Sequence, residues 1–234
     1  MSPLPRACIV GEPSSMKVIN SHKGINGMVT RIYGQESHSS SDKGFNAISV
    51  AADMIHFLNR LADELKERMP AVEGFDPPFT TMNIGRISGG SAINITANYC
   101  EFEWEYRVMP GTEQHEIRNR FEDYCEREIL PKMQASGLDH VRYETEYFTN
   151  VAPLLPQSGS DAETLALSLA NRNDTEVVSY CTEAGIFQST ARVPTVVCGP
   201  GRIDEAHRPD EYLALDQLAA CDEFLDRLLD VISE

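Results

Sequence analysis

The chain has 234 residues, enough for one large domain or two small ones around a real core. Its 36 acidic residues against 20 Lys and Arg give a formal charge of -16, which excludes nucleic acid and anionic membrane as principal partners, since both need clustered positive charge. A hydrophobic fraction of 41% is ordinary for a soluble globular protein, and no apolar run is long enough to cross a bilayer.

The opening MSPLPRACIVGEP lacks a basic start followed by a long apolar stretch, so no signal peptide is read and a cytoplasmic location is expected. Two matches to the glycosylation pattern, at Asn94 and Asn173, are then chance. The six cysteines (Cys8, Cys100, Cys125, Cys181, Cys198 and Cys221) are scattered without a C-x-x-C pair. They read as reduced thiols, and finger-type structural zinc is not expected.

Ala7 to Val10 is a short apolar run stopped by Gly-Glu-Pro, a buried strand ending in a turn. Gly27 to Tyr33 is β-rich and alternating, and Gly34 to Gly44 is a polar loop. Asn46 to Met69 has helical spacing, with Asn46 as N-cap and Pro70 as stop. Phe79 to Ile87 and Ala97 to Val108 read as strands separated by a Gly89-Gly90 loop. In the second strand, Tyr99, Phe102, Trp104 and Tyr106 do not sit at a clean period of two. An amphipathic helix runs from Thr112 to about Ala135, and His140 to Phe148 is β-rich again. The order from 27 to 148 is β-α-β-β-α-β, the ferredoxin-like order.

The remainder alternates helices with short apolar strands: a helix at 161–171, a strand at 176–180, the strand PTVVC at 194–198 and a closing helix at 214–232. That pattern predicts an α/β layer, which the strand near Val10 joins. The expected fold class is therefore α/β: part of an α/β domain, residues 1–22 and 149–234, interrupted by a ferredoxin-like insertion at 23–148.

Two segments could carry chemistry. Gly11-Glu12-Pro13-Ser14-Ser15 puts a carboxylate at the C-terminal end of a buried strand, where α/β folds place their ligands. Taken alone, Glu12 could equally cap a helix or pair with a lysine. The second segment, Gly199-Pro-Gly-Arg-Ile-Asp-Glu-Ala-His207-Arg-Pro-Asp-Glu211, also follows a buried strand. A histidine flanked by carboxylates suits a metal ligand, because a neighbouring acid fixes its tautomer. A solvated loop histidine is the alternative.

Together these segments resemble the aminoacylase/carboxypeptidase family of zinc-dependent hydrolases, which includes acetylornithine deacetylases. The resemblance rests on CIVGEPSS at 8–15, HKG at 22–24, GQESHSS at 34–40, GGSAINITAN at 89–98, YRVMPG at 106–111, YCTEAGIFQ at 180–188, and CGPG with EAHRPDE at 198–211. HKG, CTEAGIFQ and EAHRPDEYL point to the acetylornithine deacetylase branch. The resemblance implies a catalytic α/β domain with an inserted ferredoxin-like lid that dimerises. It implies a two-zinc site, with Glu12 as a carboxylate ligand of one ion and His207 as the imidazole ligand of the other. Two ligands leave cobalt and manganese open. In such a site, metals lower the pKa of a bound water and polarise the scissile amide. By the same resemblance, the catalytic His38 reaches a partner subunit's active site to stabilise the oxyanion, and Asn94, Arg107, Thr182 and Glu183 contact substrate. A loop-surface histidine and a strand-surface ion pair are the alternatives for His38 and Arg107.

The family's upstream His-x-Asp pair, bridging Asp and Glu-Glu pair have no match here, and the sequence contains no Glu-Glu dipeptide. The expectation is that this chain corresponds to the C-terminal portion of such a hydrolase. By itself it would hold no metal pair and would not turn over its substrate, a small N-acyl amino acid with N-acetylornithine the first choice. The competing reading is a non-catalytic fragment that dimerises through the lid.

Overall fold

The computed structural model describes residues 5–69, 71–206 and 208–233. The apolar run near the start forms β1 (Cys8–Val10), followed by β2 (Ile19–His22). Sequence pattern misses β2 because Asn20, Ser21 and His22 are polar. All three are nevertheless buried and find partners: Asn20 Nδ2 donates to Glu163 (3.1 Å) and Thr175 (2.9 Å), Ser21 Oγ donates to the Leu154 carbonyl (2.9 Å), and His22 Nδ1 lies 2.8 Å from the Lys23 carbonyl. Buried polar groups with hydrogen-bond partners cost little, so a polar strand can lie inside.

One residue, Lys23, separates β2 from β3 (Gly24–Tyr33). Then come α1 (Ala47–Arg68), β4 (Thr81–Gly89), β5 (Tyr99–Val108), α2 (Glu116–Tyr124), a π-helical turn (Cys125–Ile129), α3 (Leu130–Ala135) and β6 (Arg142–Val151). The strands form one antiparallel sheet in the order β4-β5-β3-β6, the ferredoxin-like arrangement.

Helix α1 starts where Asn46 Oδ1 accepts from the amides of Ile48 (2.9 Å) and Ser49 (3.2 Å). Its Val50, Met54, Leu58, Leu61 and Leu65 form one buried stripe against the sheet. Met69 is extended, as a residue preceding proline tends to be, while the expected stop itself, Pro70, lies outside the described residues. The second helix begins at Glu116 rather than Thr112, whose hydroxyl instead donates to the Met109 carbonyl (2.7 Å) in the preceding turn. The π turn has a local cause. Pro131 lacks an N–H and crowds the carbonyl four residues back, and the Leu130 amide reaches Cys125 instead.

Strand β5 alternates cleanly after all. Cys100, Phe102, Trp104, Tyr106 and Val108 are buried beneath the helices, and Glu101, Glu103, Glu105 and Arg107 face the other way. Only Tyr99 belongs to the outer set, so the aromatic residues alone gave a misleading period. Trp104 stacks obliquely on Phe121 at 4.9 Å and donates its indole N–H to Thr30 Oγ1 (3.1 Å).

The remaining elements are α4 (Asp161–Leu169), β7 (Glu176–Val178), α5 (Ala184–Ile186) with a π-helical continuation, β8 (Thr195–Val197), a 3-10 turn (Ile203–Glu205) and α6 (Leu215–Ser233). Strands β1, β8, β2 and β7 form a second sheet in that order, with β1·β8 and β2·β7 parallel. Helices α4 and α6 pack on it through Ala162, Ala166, Leu169 and Phe224. The apolar side of α6 is only partly used. Phe224 is buried, whereas Leu215, Leu218, Leu225, Leu229 and Ile232 stay exposed.

Candidate functional site

Strands β1 and β8 run parallel in the register Cys8↔Thr195 to Val10↔Val197, so both open their C-terminal ends on the same side. The two loops that follow are packed backbone to backbone. A Cβ on Gly199 would lie 2.2 Å from the Gly11 carbonyl oxygen and 2.6 Å from that of Glu12, so only glycine fits there. The Ser14 and Met16 amides donate to the Gly199 carbonyl (3.2 and 2.9 Å), and the Ser15 amide donates to that of Gly201 (2.7 Å). The Gly199 amide in turn donates to Ser14 Oγ (3.1 Å). Ser15 and Met16 both take left-handed φ values, 55° and 56°, a local strain that these bonds hold in place.

Glu12 sits half-buried on this junction. Beside it, Tyr180 donates its hydroxyl to the Pro13 carbonyl at 2.7 Å. Burial, with a smaller contribution from the Glu12 carboxylate, pushes the Tyr180 hydroxyl up to about 12. Residue pattern alone assigns Tyr180 no role, although it opens the YCTEAGIFQ segment. Its bond brings the 180–183 loop against Glu12. Thr182 is buried, and its hydroxyl accepts from the Ala184 amide at the start of α5 (3.1 Å), while Glu183 is exposed. Glu183's charge acts on Cys8, His22 and Cys181. His207 lies outside the described residues, on the segment that leaves the Gly199 junction.

Arg107 lies on β5 opposite Ile25, at the end of that ladder nearest the crossing to the second sheet. Its guanidinium makes a paired contact with Glu105 (3.1 and 3.2 Å) and partly offsets the burial that raises the Cys181 thiol to about 11. Tyr180 thus joins the Glu12 loop to Cys181, on which the charges of Arg107 and Glu183 act.

His38 and Asn94 belong to a different place. His38 is exposed, with Nδ1 2.7 Å from Ser40 Oγ, and it bridges Ile95 through its backbone. The Ser39 amide donates to the Asn94 carbonyl at 2.9 Å, so the two loops share one polar rim. Arg107 pairs with Ile25 at the near end of the β3·β5 ladder, and Tyr33 pairs with Tyr99 at the far end, where both loops emerge. At the usual rise per strand residue, those ends are roughly 27 Å apart. Among the described residues, no hydrogen bond or ion pair links His38 or Asn94 to the Glu12 junction.

No group of three or more His, Cys, Asp or Glu side chains able to hold a metal occurs among the described residues. Glu12 is a sound oxygen ligand in kind, but the described residues around it do not make a zinc shell. All six cysteines are free, and burial raises the Cys100, Cys125, Cys181 and Cys198 thiols, which suits packing rather than metal binding. Among the described residues, no helix is long and apolar enough to cross a membrane.

Known proteins share both the inserted ferredoxin-like module and the α/β layer that carries the Glu12 junction. Residues 20–133 match the model of the peptidase dimerisation domain family. Over nearly its whole length the chain is also similar to acetylornithine deacetylases. It is 34% identical over 228 residues to the acetylornithine deacetylase of Edwardsiella ictaluri (strain 93-146), covering 96% of this chain and 56% of that protein. It is 32% identical over 226 residues to the acetylornithine deacetylase of Pasteurella multocida (strain Pm70), with the same coverage. The chain therefore spans little more than half the length of these relatives. In fold, it is similar to the aminopeptidase PepT from Bacillus cereus (TM-score 0.64, 16% identity, 94% of this chain and 54% of that one). The dipeptidase Dug1p from Saccharomyces cerevisiae is comparable (TM-score 0.63, 13% identity, 93% and 56%).

Proposed function

We propose that this chain is the C-terminal portion of a metal-dependent hydrolase that cleaves the amide bond of an N-acyl amino acid, with N-acetylornithine as the leading substrate. The observation that carries the reading is the junction of β1 and β8, which presents Glu12 on the loop beside the one leading to His207. Relatives named acetylornithine deacetylase align with 96% of the chain. In this reading, residues 1–22 with 149–234 belong to the catalytic layer and 23–148 form the lid.

Glu12 and His207 would each give one ligand to a two-zinc centre, whose other ligands come from sequence this chain does not contain. Bound zinc would supply Lewis acidity toward the amide carbonyl and a water of lowered pKa. What the chain's own residues do follows from their placement. Arg107, already aligned by Glu105, can turn its fork to a substrate carboxylate, and Thr182 and Glu183 border the same space. His38 and Asn94, on loops that leave the far end of the ladder, would serve the active site of a partner in a homodimer formed through the lid. The exposed apolar residues of α6 and the free edges of β1 and β7 fit a layer that a longer protein completes.

The test is a protein extended to the length of its relatives and assayed for release of ornithine from N-acetylornithine. Activity that Glu12→Ala abolishes supports the reading, and full activity in that variant refutes it.

A second reading has one observation in its favour. The ferredoxin-like module has a core of its own, from Met28 to Val141, separate from the two clusters of the other layer. The chain could then work as a non-catalytic dimerising unit. A stable dimer with no zinc affinity, encoded without upstream ligands, would favour it.

A further inference from the structure

The passage between the two sheets is built from two strands. On the way out, β2 becomes β3 across Lys23 alone. On the way back, β6 ends at Val151 and Leu154 pairs with His22: the Leu154 amide donates to the His22 carbonyl (3.1 Å), and the His22 amide donates to that of Leu154 (3.4 Å). Glycines let these strands close. A Cβ on Gly24 would meet the Val151 carbonyl oxygen at 2.7 Å, and one on Gly185 would meet that of Ala152 at 1.9 Å.

Within this crossing Lys23 is 1% exposed, and no carboxylate bonds its ammonium. Nζ donates instead to two backbone carbonyls, Pro77 at 2.7 Å and Phe79 at 2.8 Å. A fully buried lysine held by main-chain oxygens is a costly feature, tolerated only where it fixes something. The segment it holds, residues 71–79, also touches the catalytic layer. The Asp76 amide donates to Ser179 Oγ (3.2 Å), and a Cβ on Gly74 would lie 2.8 Å from the Val177 side chain. Lys23 therefore ties the crossing strand to a loop that bears on β7 and on the segment leading to Tyr180.

We infer that Lys23 is a positioning residue: its ammonium, bound to the Pro77 and Phe79 carbonyls, fixes the angle at which the module carrying Arg107 faces the Glu12 junction. The inference rests on the hydrolase reading only for the purpose of that angle. The geometry itself can be measured on the 234-residue chain without metal or substrate.

The experiment compares wild type with Lys23→Met, which keeps the length of the side chain and removes its donors. Leu58→Ala, in the core of the module, serves as a control for simple loss of stability. Hydrogen exchange and small-angle scattering are recorded well below each variant's melting temperature. Lys23→Met is expected to speed exchange in residues 20–27 and 74–83 by about tenfold and to enlarge the scattering radius, while exchange around Trp104 stays as in wild type. Leu58→Ala is expected to do the reverse, loosening the Trp104 region and leaving the radius unchanged. Should Lys23→Met fail to fold, Ser179→Ala loosens the other anchor of the same loop and is expected to speed exchange in residues 20–27. Wild-type exchange at the crossing in Lys23→Met, or a pattern equal to that of Leu58→Ala, overturns the inference. So does unchanged exchange at 20–27 in Ser179→Ala. None of these results bears on hydrolysis, so failure here leaves the proposed function standing.

Discussion

His38 and Arg107 lie at opposite ends of one strand ladder, the first beyond the Tyr33↔Tyr99 pair and the second at Ile25↔Arg107. The charge of Arg107 acts on Cys181, next to the Tyr180 that bonds the Glu12 loop, whereas no hydrogen bond or ion pair among the described residues links His38 to that loop. If both residues serve one substrate molecule, two copies of the chain must supply them.

That arrangement predicts complementation between subunits. In a protein of the relatives' length, Glu12→Ala and His38→Ala homodimers should each lose at least about a hundredfold in activity, the scale of a removed oxyanion donor for His38. Co-expressed in equal amounts, they should regain about a quarter of wild-type activity, because half the dimers are mixed and each mixed dimer has one intact site. Kinetic assay of the purified mixture checks this, and no recovery would place His38 and Glu12 in the same subunit's site.

The glycine lock at the junction is testable in the chain itself. Gly199→Ala forces a methyl against the Gly11 and Glu12 carbonyls. A backbone shift of that kind costs about 1–3 kcal/mol or more. Urea denaturation should show the loss, and a spectroscopic probe at Tyr180 should respond first. Gly111→Ala makes a useful comparison, since it meets no atom within 4 Å and bears only the strain of its own φ of 77°.

The module's core should respond as a packed interior does. Trp104 is 2% exposed, stacks on Phe121 and bonds Thr30. Trp104→Ala should cost about 3–5 kcal/mol, read as a fall in the denaturation midpoint. Ile87→Ala on the exposed edge strand should change stability by no more than about 0.5 kcal/mol.

His22 makes stability depend on pH. Its ring is fully buried, Nδ1 lies 2.8 Å from the Lys23 carbonyl, and Nε2 has no partner. Burial holds its pKa below the ordinary value of 6.5, against smaller upward contributions from backbone hydrogen bonds and Glu183. The unfolded chain therefore binds this proton more readily. The stabilising contribution is present above pH 6.5 and is lost as pH falls from there through the folded value. Thermal melts at about pH 7.5 and about pH 5.5 should show a larger drop for wild type than for His22→Gln. Equal drops would mean that the imidazole does not carry the effect.

Much of this fold was legible from residue pattern. The stripe from Val50 to Leu65 declared α1, and the turn residues around it declared the β-α-β-β-α-β order. Strand β2 was hidden because it buries Asn20, Ser21 and His22: the side-chain partners of Asn20 and Ser21 and the backbone partner of His22 come from residues more than 130 positions away and leave no local trace. The period of β5 was hidden by Tyr99, an aromatic residue on the outer face. Helix α6 announced an apolar face that this chain leaves largely uncovered. For the site, Glu12 stood out because a buried strand ends just before it. Tyr180 and Lys23 did not, since their importance lies in bonds to the main-chain carbonyls of Pro13, Pro77 and Phe79.

The most direct test of the central claim is zinc content and N-acetylornithine hydrolysis, measured side by side on the 234-residue chain and on a protein of its relatives' full length. The account predicts stoichiometric zinc and turnover in the longer protein, with neither in the chain alone. Two bound zinc ions with turnover in the chain alone would contradict it, because Glu12 and His207 would then have found their fellow ligands within these residues.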